Sequence, residues 1–215
     1  MDISAVIRLL KKHVRAGKLP IVTALADTTH DPFRVLISTL LSLRTKDEVT
    51  EVASARLFAL ASTPRDMLAL SEAEISRTIY PVGFYRTKAR TIHSVCRVLI
   101  ERYRSQVPDS IDELLTMKGV GRKTANLVVA LGYGKPGVCV DTHVHRISNR
   151  LGYVSTRTPE ETEFALREKL PGRYWIDYNT IMVAFGRMTC RPVSPLCSEC
   201  PVTAHCKKVG VTKRR

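Results

Sequence analysis

The chain has 215 residues, and its 34 Lys and Arg against 20 Asp and Glu give a formal net charge of +14. With 44% hydrophobic and 25% charged residues it has an ordinary globular composition, which excludes a disordered, collagen-like or disulfide-dense chain. No run approaches the ~18 continuous apolar residues of a membrane span, so a soluble, intracellular protein attracted to a polyanion, either nucleic acid or an anionic membrane surface, is expected.

The N-terminus has helical spacing and an early acid, Asp2, without the basic start and apolar core of a signal peptide. Asp31-Pro32 reads as an N-cap followed by proline at the first helical position, and Phe33, Leu36, Ile37, Leu40 and Leu41 then recur at helical spacing. Thr45-Lys46-Asp47-Glu48 reads as a capping box ahead of a stripe of Val49, Val52, Ala53, Leu57 and Leu60. Ser71 with Glu74 and Thr158-Pro159-Glu160-Glu161 give the same start signal, and Ala89, Ile92, Cys96, Leu99 and Tyr103 form one stripe of a long basic helix. Alternating strand-like runs are nearly absent, so the fold class is all-α. Residues 132–137 hold three glycines and a proline and are the strongest candidate for a crossing between two helical domains.

Residues 111–131 read as helix, tight turn, helix. Asp109 or Ser110 caps the first helix, Gly119-Val120-Gly121 makes the turn with two glycines that permit positive φ, and Arg122 opens the second helix. Backbone N–H groups at such a helix start suit a phosphate oxygen. Lys123 lies in the first turn, at the positive end of the helix dipole, with Arg122 beside it and Lys118 before the turn; each favours the neutral, nucleophilic amine. Asp141 reads as the N-cap of the helix that begins Thr142-His143-Val144. His143 and His145 are expected at surface or supporting positions.

Four of the six cysteines, Cys190, Cys197, Cys200 and Cys206, fall within seventeen residues in the pattern C-x6-C-x2-C-x5-C. In a chain read as intracellular they point to a metal site rather than to disulfides, and four thiolates suit either a [4Fe-4S] cluster or structural zinc. Cys96 and Cys139 read as buried structural thiols. Residues 186–215 carry seven basic residues against one acid, and Arg191 stands in a proline-stiffened loop where it is offered to a phosphate.

Met117-Lys118-Gly119-Val120-Gly121-Arg122-Lys123-Thr124-Ala125, Val140-Asp141-Thr142-His143-Val144 and the cysteine run, taken in that order, resemble the endonuclease III family of DNA glycosylases. The resemblance implies two helical domains, residues 22–132 and residues 1–21 with 133–215, with the active site in the cleft between them. It implies that Lys123 attacks C1′ of a flipped nucleotide, displaces the base and forms an imine, after which β-elimination cuts the strand. It implies further that Asp141 is a carboxylate at the developing positive charge and that the four cysteines hold a [4Fe-4S] cluster. Gly119, Val120, Gly121, Arg122 and Arg191 become expected DNA contacts.

The family also places wedges in the loops Leu41-Ser42-Leu43-Arg44-Thr45-Lys46-Asp47 and Val82-Gly83-Phe84-Tyr85. Here Arg44 stands where glutamine is common and Phe84 where an aliphatic residue is common. The expected activity is removal of oxidised pyrimidines from duplex DNA, by a monomer in a prokaryotic cytoplasm, with no membrane partner. A mismatch-specific thymine/uracil glycosylase of the same superfamily and a non-enzymatic helix-hairpin-helix DNA-binding module are the alternatives.

Overall fold

The structure, a computed structural model, describes residues 1–14, 20–29 and 31–215; residues 15–19 of the expected N-terminal segment lie outside them. Every regular element among the described residues is helical. They divide into two compact units, Met1–Pro20 with Pro136–Arg215, and Ile21–Lys135. The junction at 135–136 falls inside the glycine-rich stretch 132–137.

The first unit opens with α1 (Ile3–Val14), whose Ile3, Val6, Ile7 and Leu10 repeat at three- and four-residue spacing and are all buried. In the second unit, α2 (Ile21–Thr29) and α3 (Pro32–Ser42) come first. As the sequence suggests, Asp31 caps α3, its carboxylate accepting from Phe33 N at 2.8 Å, with Pro32 at the first helical position. α3 is the core of its unit: every residue from Val35 to Leu41 is buried, because the chain packs α2, α4, α7 and α9 around it.

α4 (Asp47–Leu60) departs from expectation. Thr45 is not its N-cap; Lys46 is, and it gives no side-chain cap bond. The Thr45 hydroxyl instead accepts from Gly83 N and from the ammonium of Lys88. The buried face is also rotated from the expected stripe: Thr50, Ala53, Ser54, Leu57 and Phe58 face the core, while Val52 and Leu60 are exposed. Thr50 can face inward because its hydroxyl donates to Lys46 O at 3.1 Å.

α5 (Pro64–Ala69) and α6 (Glu72–Ile79) both begin in reciprocal capping boxes, Thr63 with Asp66 and Ser71 with Glu74. Only the second was legible as such. α7 (Tyr85–Tyr103) buries Ala89, Ile92, Cys96 and Leu99 as expected, but also Lys88. Burial pushes the Cys96 thiol up to about 12, so it is an inert core group. α8 (Ile111–Leu115) and α9 (Arg122–Leu127) make the hairpin, and α9 runs on into a π turn over Val128–Gly132.

The rest of the first unit is α10 (Thr142–Leu151), α11 (Pro159–Lys169) and α12 (Trp175–Met188). Their apolar faces meet α1 in one core that includes Val6, Ile7, Val144, Ile147, Leu166, Met182 and Phe185. Thr158 caps α11 by accepting from Glu161 N, whereas the Glu161 carboxylate accepts from Arg157 N, one residue earlier than a capping box requires. Tyr178 is fully buried and satisfies its hydroxyl on Ser148 at 3.1 Å. Because α1 reaches this core from the far end of the sequence, Ile7→Ala, at a side chain 1% exposed, should cost about 3 kcal/mol, read as a lower urea midpoint.

Candidate active site

The hairpin turn is built by one left-handed glycine rather than two. Gly119 has φ +92°, and a Cβ there would stand 2.5 Å from Thr91 Cγ2, so both backbone and packing ask for glycine. Gly121 is extended, at φ −97°, and is the N-cap of α9. Its Cβ would meet nothing within 4 Å, so nothing inside the protein requires glycine there. The open space in front of α9 leaves its first turn approachable from outside.

Val120 N donates to Met117 O at 3.0 Å and closes the turn, and Leu114, Met117 and Val120 anchor it in the core. Thr124 to Leu127 are buried, while Arg122 and Lys123 in the first turn are half-buried. The sequence therefore fastens one side of this short helix and leaves its start at the surface. Asp109, one of the two candidate caps of α8, is paired instead with Lys135, and Ser110 holds the N-cap position without a side-chain bond.

Asp141 does cap α10. Its Oδ1 accepts from His143 N and Val144 N, each at 2.9 Å, so the carboxylate is held rigidly at the helix start and its second oxygen remains an acceptor. His143 Nδ1 lies 3.1 Å from an Arg146 nitrogen, and His145 Nδ1 lies 2.7 Å from the Thr162 hydroxyl. Both histidines are thus engaged in supporting contacts.

Cys190, Cys197, Cys200 and Cys206 line one largely apolar cavity together with Ile147, Leu151, Phe185 and Val202. Among the described residues no group of three or more His, Cys, Asp and Glu is drawn together closely enough for a single metal ion. A cube offers a separate iron to each of four thiolates and so sets its ligands farther apart than one tetrahedral zinc does. Burial pushes the Cys200 and Cys206 thiols up, and the neighbouring cysteines push the same way, while the backbone N–H groups of Val202 and Lys208 oppose the shift. A sulfur-only donor set in an apolar cavity fits a cationic cluster, which would reverse that mutual repulsion. Lys208 N donates to Cys206 Sγ at 3.3 Å, a bond of the kind that stabilises a ligating thiolate.

Two arginines on α10 that the sequence did not single out organise this segment. Arg146 donates to Cys190 O at 3.0 Å, and one turn later Arg150 donates to the carbonyls of Arg191 and Pro192, each at 2.6 Å. The Arg191 side chain is exposed, on a backbone that Arg150 holds fixed. Their i, i+4 spacing was the available signal, but nothing in the sequence says which loop they meet.

Arg44 and Phe84 are brought together. Both have left-handed backbone, φ +53° and +58°, and the Arg44 guanidinium lies 5.6 Å from the centre of the Phe84 ring, which is 62% exposed. Non-glycine residues rarely adopt this conformation, and here two of them carry exposed side chains that meet each other.

Residues 37–172 match the HhH-GPD superfamily of base excision DNA repair proteins. "Endonuclease III" of Thermotoga maritima is 54% identical over 177 residues, covering 82% of this chain and 83% of its own length. The chain belongs to the endonuclease III family. Among solved structures, a non-covalent endonuclease III–DNA complex superposes with a TM-score of 0.86 at 35% identity, covering 96% of this chain and 94% of that one. A trapped endonuclease III–DNA covalent intermediate gives 0.81 at 33% identity, covering 97% of each. No helix among the described residues of this endonuclease III family member is long and apolar enough to cross a membrane.

The cap geometry separates two consequences of changing Asp141. Asp141→Asn keeps an N-cap side chain and should leave stability within a few tenths of a kcal/mol, whereas Asp141→Ala should cost about 1 kcal/mol; thermal unfolding of the two variants checks this. Arg150→Ala removes two charge-assisted bonds at a partly exposed site and should cost about 1.5 kcal/mol, read in the same measurement.

Proposed function

We propose that this base excision repair glycosylase and abasic-site lyase acts on oxidised pyrimidines in duplex DNA, with Lys123 as nucleophile and Asp141 as the supporting carboxylate. The observation that carries the reading is local. Lys123 is presented in the first turn of α9, behind a turn that only Gly119 can make and an N-cap, Gly121, with open space before it.

The Lys123 amine attacks C1′, the bond from C1′ to the base breaks, and the electron pair leaves with the base. Loss of a proton from nitrogen and opening of the sugar ring give an imine. Removal of a proton from C2′ then expels the 3′ phosphate by β-elimination, and water releases the enzyme from the unsaturated sugar. Asp141 contributes negative charge as the base departs and assists the proton transfers. Its rigid capping bonds hold that charge in a fixed direction, so little reorganisation is needed during the step.

Duplex DNA meets a chain with a net charge of +14. Gly119, Gly121 and Arg122 present backbone and charge to phosphate from the turn that Val120 closes, and Arg191 does so from the loop after Cys190. Arg44 and Phe84 enter the stack where the nucleotide leaves it. Cys190, Cys197, Cys200 and Cys206 hold a [4Fe-4S] cluster whose contribution is structural, tying the C-terminal segment to α10.

Borohydride should trap a covalent complex between the wild-type protein and abasic DNA, and Lys123→Gln should abolish it; trapping that survives this change would remove Lys123 from the role. Asp141→Asn should bind the same duplex with near-normal affinity and release base at least a hundredfold more slowly. A panel of duplexes with single lesions, run with and without alkali, should show oxidised pyrimidines cleaved first, and a preference for thymine or uracil mispairs would overturn the substrate assignment. Iron and sulfide analysis should find both elements; a colourless protein containing zinc would overturn the cluster.

A further inference from the structure

Lys88, in the first turn of α7, is only 8% exposed. A buried ammonium is costly unless each of its protons finds an acceptor. Here all three do: Leu41 O at 2.7 Å, Leu43 O at 2.5 Å and the Thr45 hydroxyl at 3.1 Å. Leu41 belongs to the last turn of α3, whose carbonyls have no partner within the helix, so the cation completes a helix end.

The same contacts reach a second loop. Thr45 donates its proton to Leu43 O at 3.3 Å and accepts from both Lys88 and Gly83 N, the latter at 3.2 Å. Gly83 allows this approach because a Cβ there would stand 2.6 Å from Arg44 O. Lys88, Thr45 and Gly83 therefore fasten residues 41–45 against residues 82–84, and what the joined loops hold outward is the stacked pair of Arg44 and Phe84. Burial draws the Lys88 ammonium down to about 8, so it keeps its charge at neutral pH at a site that favours losing it. A helix end could be closed by cheaper means; a buried cation at the root of two strained, exposed residues argues for a demand on position.

We propose that Lys88 is a positioning residue that joins the 41–45 and 82–84 loops into one rigid platform, so that Arg44 and Phe84 meet the duplex already stacked and open it around the lesion. This rests on the reading that the chain acts on a base inside duplex DNA. The energy of opening is then spent on the DNA alone, since neither loop has to be ordered on contact.

The experiment compares the wild-type chain with Lys88→Met, Lys88→Arg and Thr45→Val on abasic oligonucleotides, single-stranded and duplex, the duplex carrying 2-aminopurine opposite the abasic site. For Lys88→Met, borohydride trapping on the duplex should fall about ten- to a hundredfold and the rise in 2-aminopurine fluorescence on binding should be lost, while single-strand trapping stays within about twofold. Lys88→Arg, which keeps the charge and the donors, should recover most of the duplex activity. Thr45→Val removes the link to Gly83 and one of the three acceptors of the cation but leaves the Lys88 charge and its two backbone acceptors, and should show the same duplex-only loss in milder form, which keeps the test open if Lys88→Met does not fold. Equal losses on both substrates, or none on either, would overturn the proposal. Absence of single-strand trapping by the wild-type protein would count against the lyase reading, and the fluorescence of the bound duplex, which needs no covalent step, would still decide the role of Lys88.

Discussion

Every α-helix ends with backbone groups that its own hydrogen bonds cannot reach, and in a chain built of helices those ends are where structure is most open to choice. The chemistry proposed for this protein lies there. Asp141 closes the start of α10, Gly121 begins α9 two residues before Lys123, and Lys88 closes the end of α3. Each residue meets a requirement of the backbone and, through it, acquires a fixed direction. A carboxylate or amine borne by a helix end inherits the rigidity of the packed helix behind it, which is the precision that chemistry at a sugar carbon requires.

The same economy governs the C-terminal segment. Between α12 and the chain end there is no helix longer than the three-residue turn at Thr203–His205, so no regular helical ladder holds the four cysteines in place. α10 supplies the deficit through Arg146 and Arg150, whose guanidinium groups bind carbonyls around the first cysteine. A basic residue thereby serves as backbone partner and as part of the positive surface at once, so charge alone is a poor guide to which arginines meet DNA. Arg150 is engaged inward, while Arg191 next to it is exposed.

Much of this was legible in the sequence where the determining contact is local. Asp31-Pro32, Ser71 with Glu74 and Thr158-Pro159 announce helix starts because cap and helix are adjacent in the chain. The helices of the hairpin and the Asp141 N-cap were legible for the same reason, since their spacing is written within a few turns, whereas the roles proposed for Lys123, Asp141 and the four cysteines come from the family resemblance. Thr45 was misread because a lysine 43 residues away withdraws its hydroxyl from capping. The pairing of Arg44 with Phe84 and the inward turn of Thr50 on α4 likewise depend on tertiary packing. Both glycines of the hairpin looked alike in sequence, yet one answers to backbone strain and the other to space.

The double use proposed for Asp141 bears on how substitutions at that site are tolerated. Serine, threonine or asparagine would satisfy the two N–H groups at the start of α10, so a screen that scores only folding would accept them all. On the role proposed for it, a screen that scores repair would accept aspartate alone. The residues passing the first and failing the second would outline, without any ligand in view, the part of this helix cap that belongs to chemistry rather than to architecture.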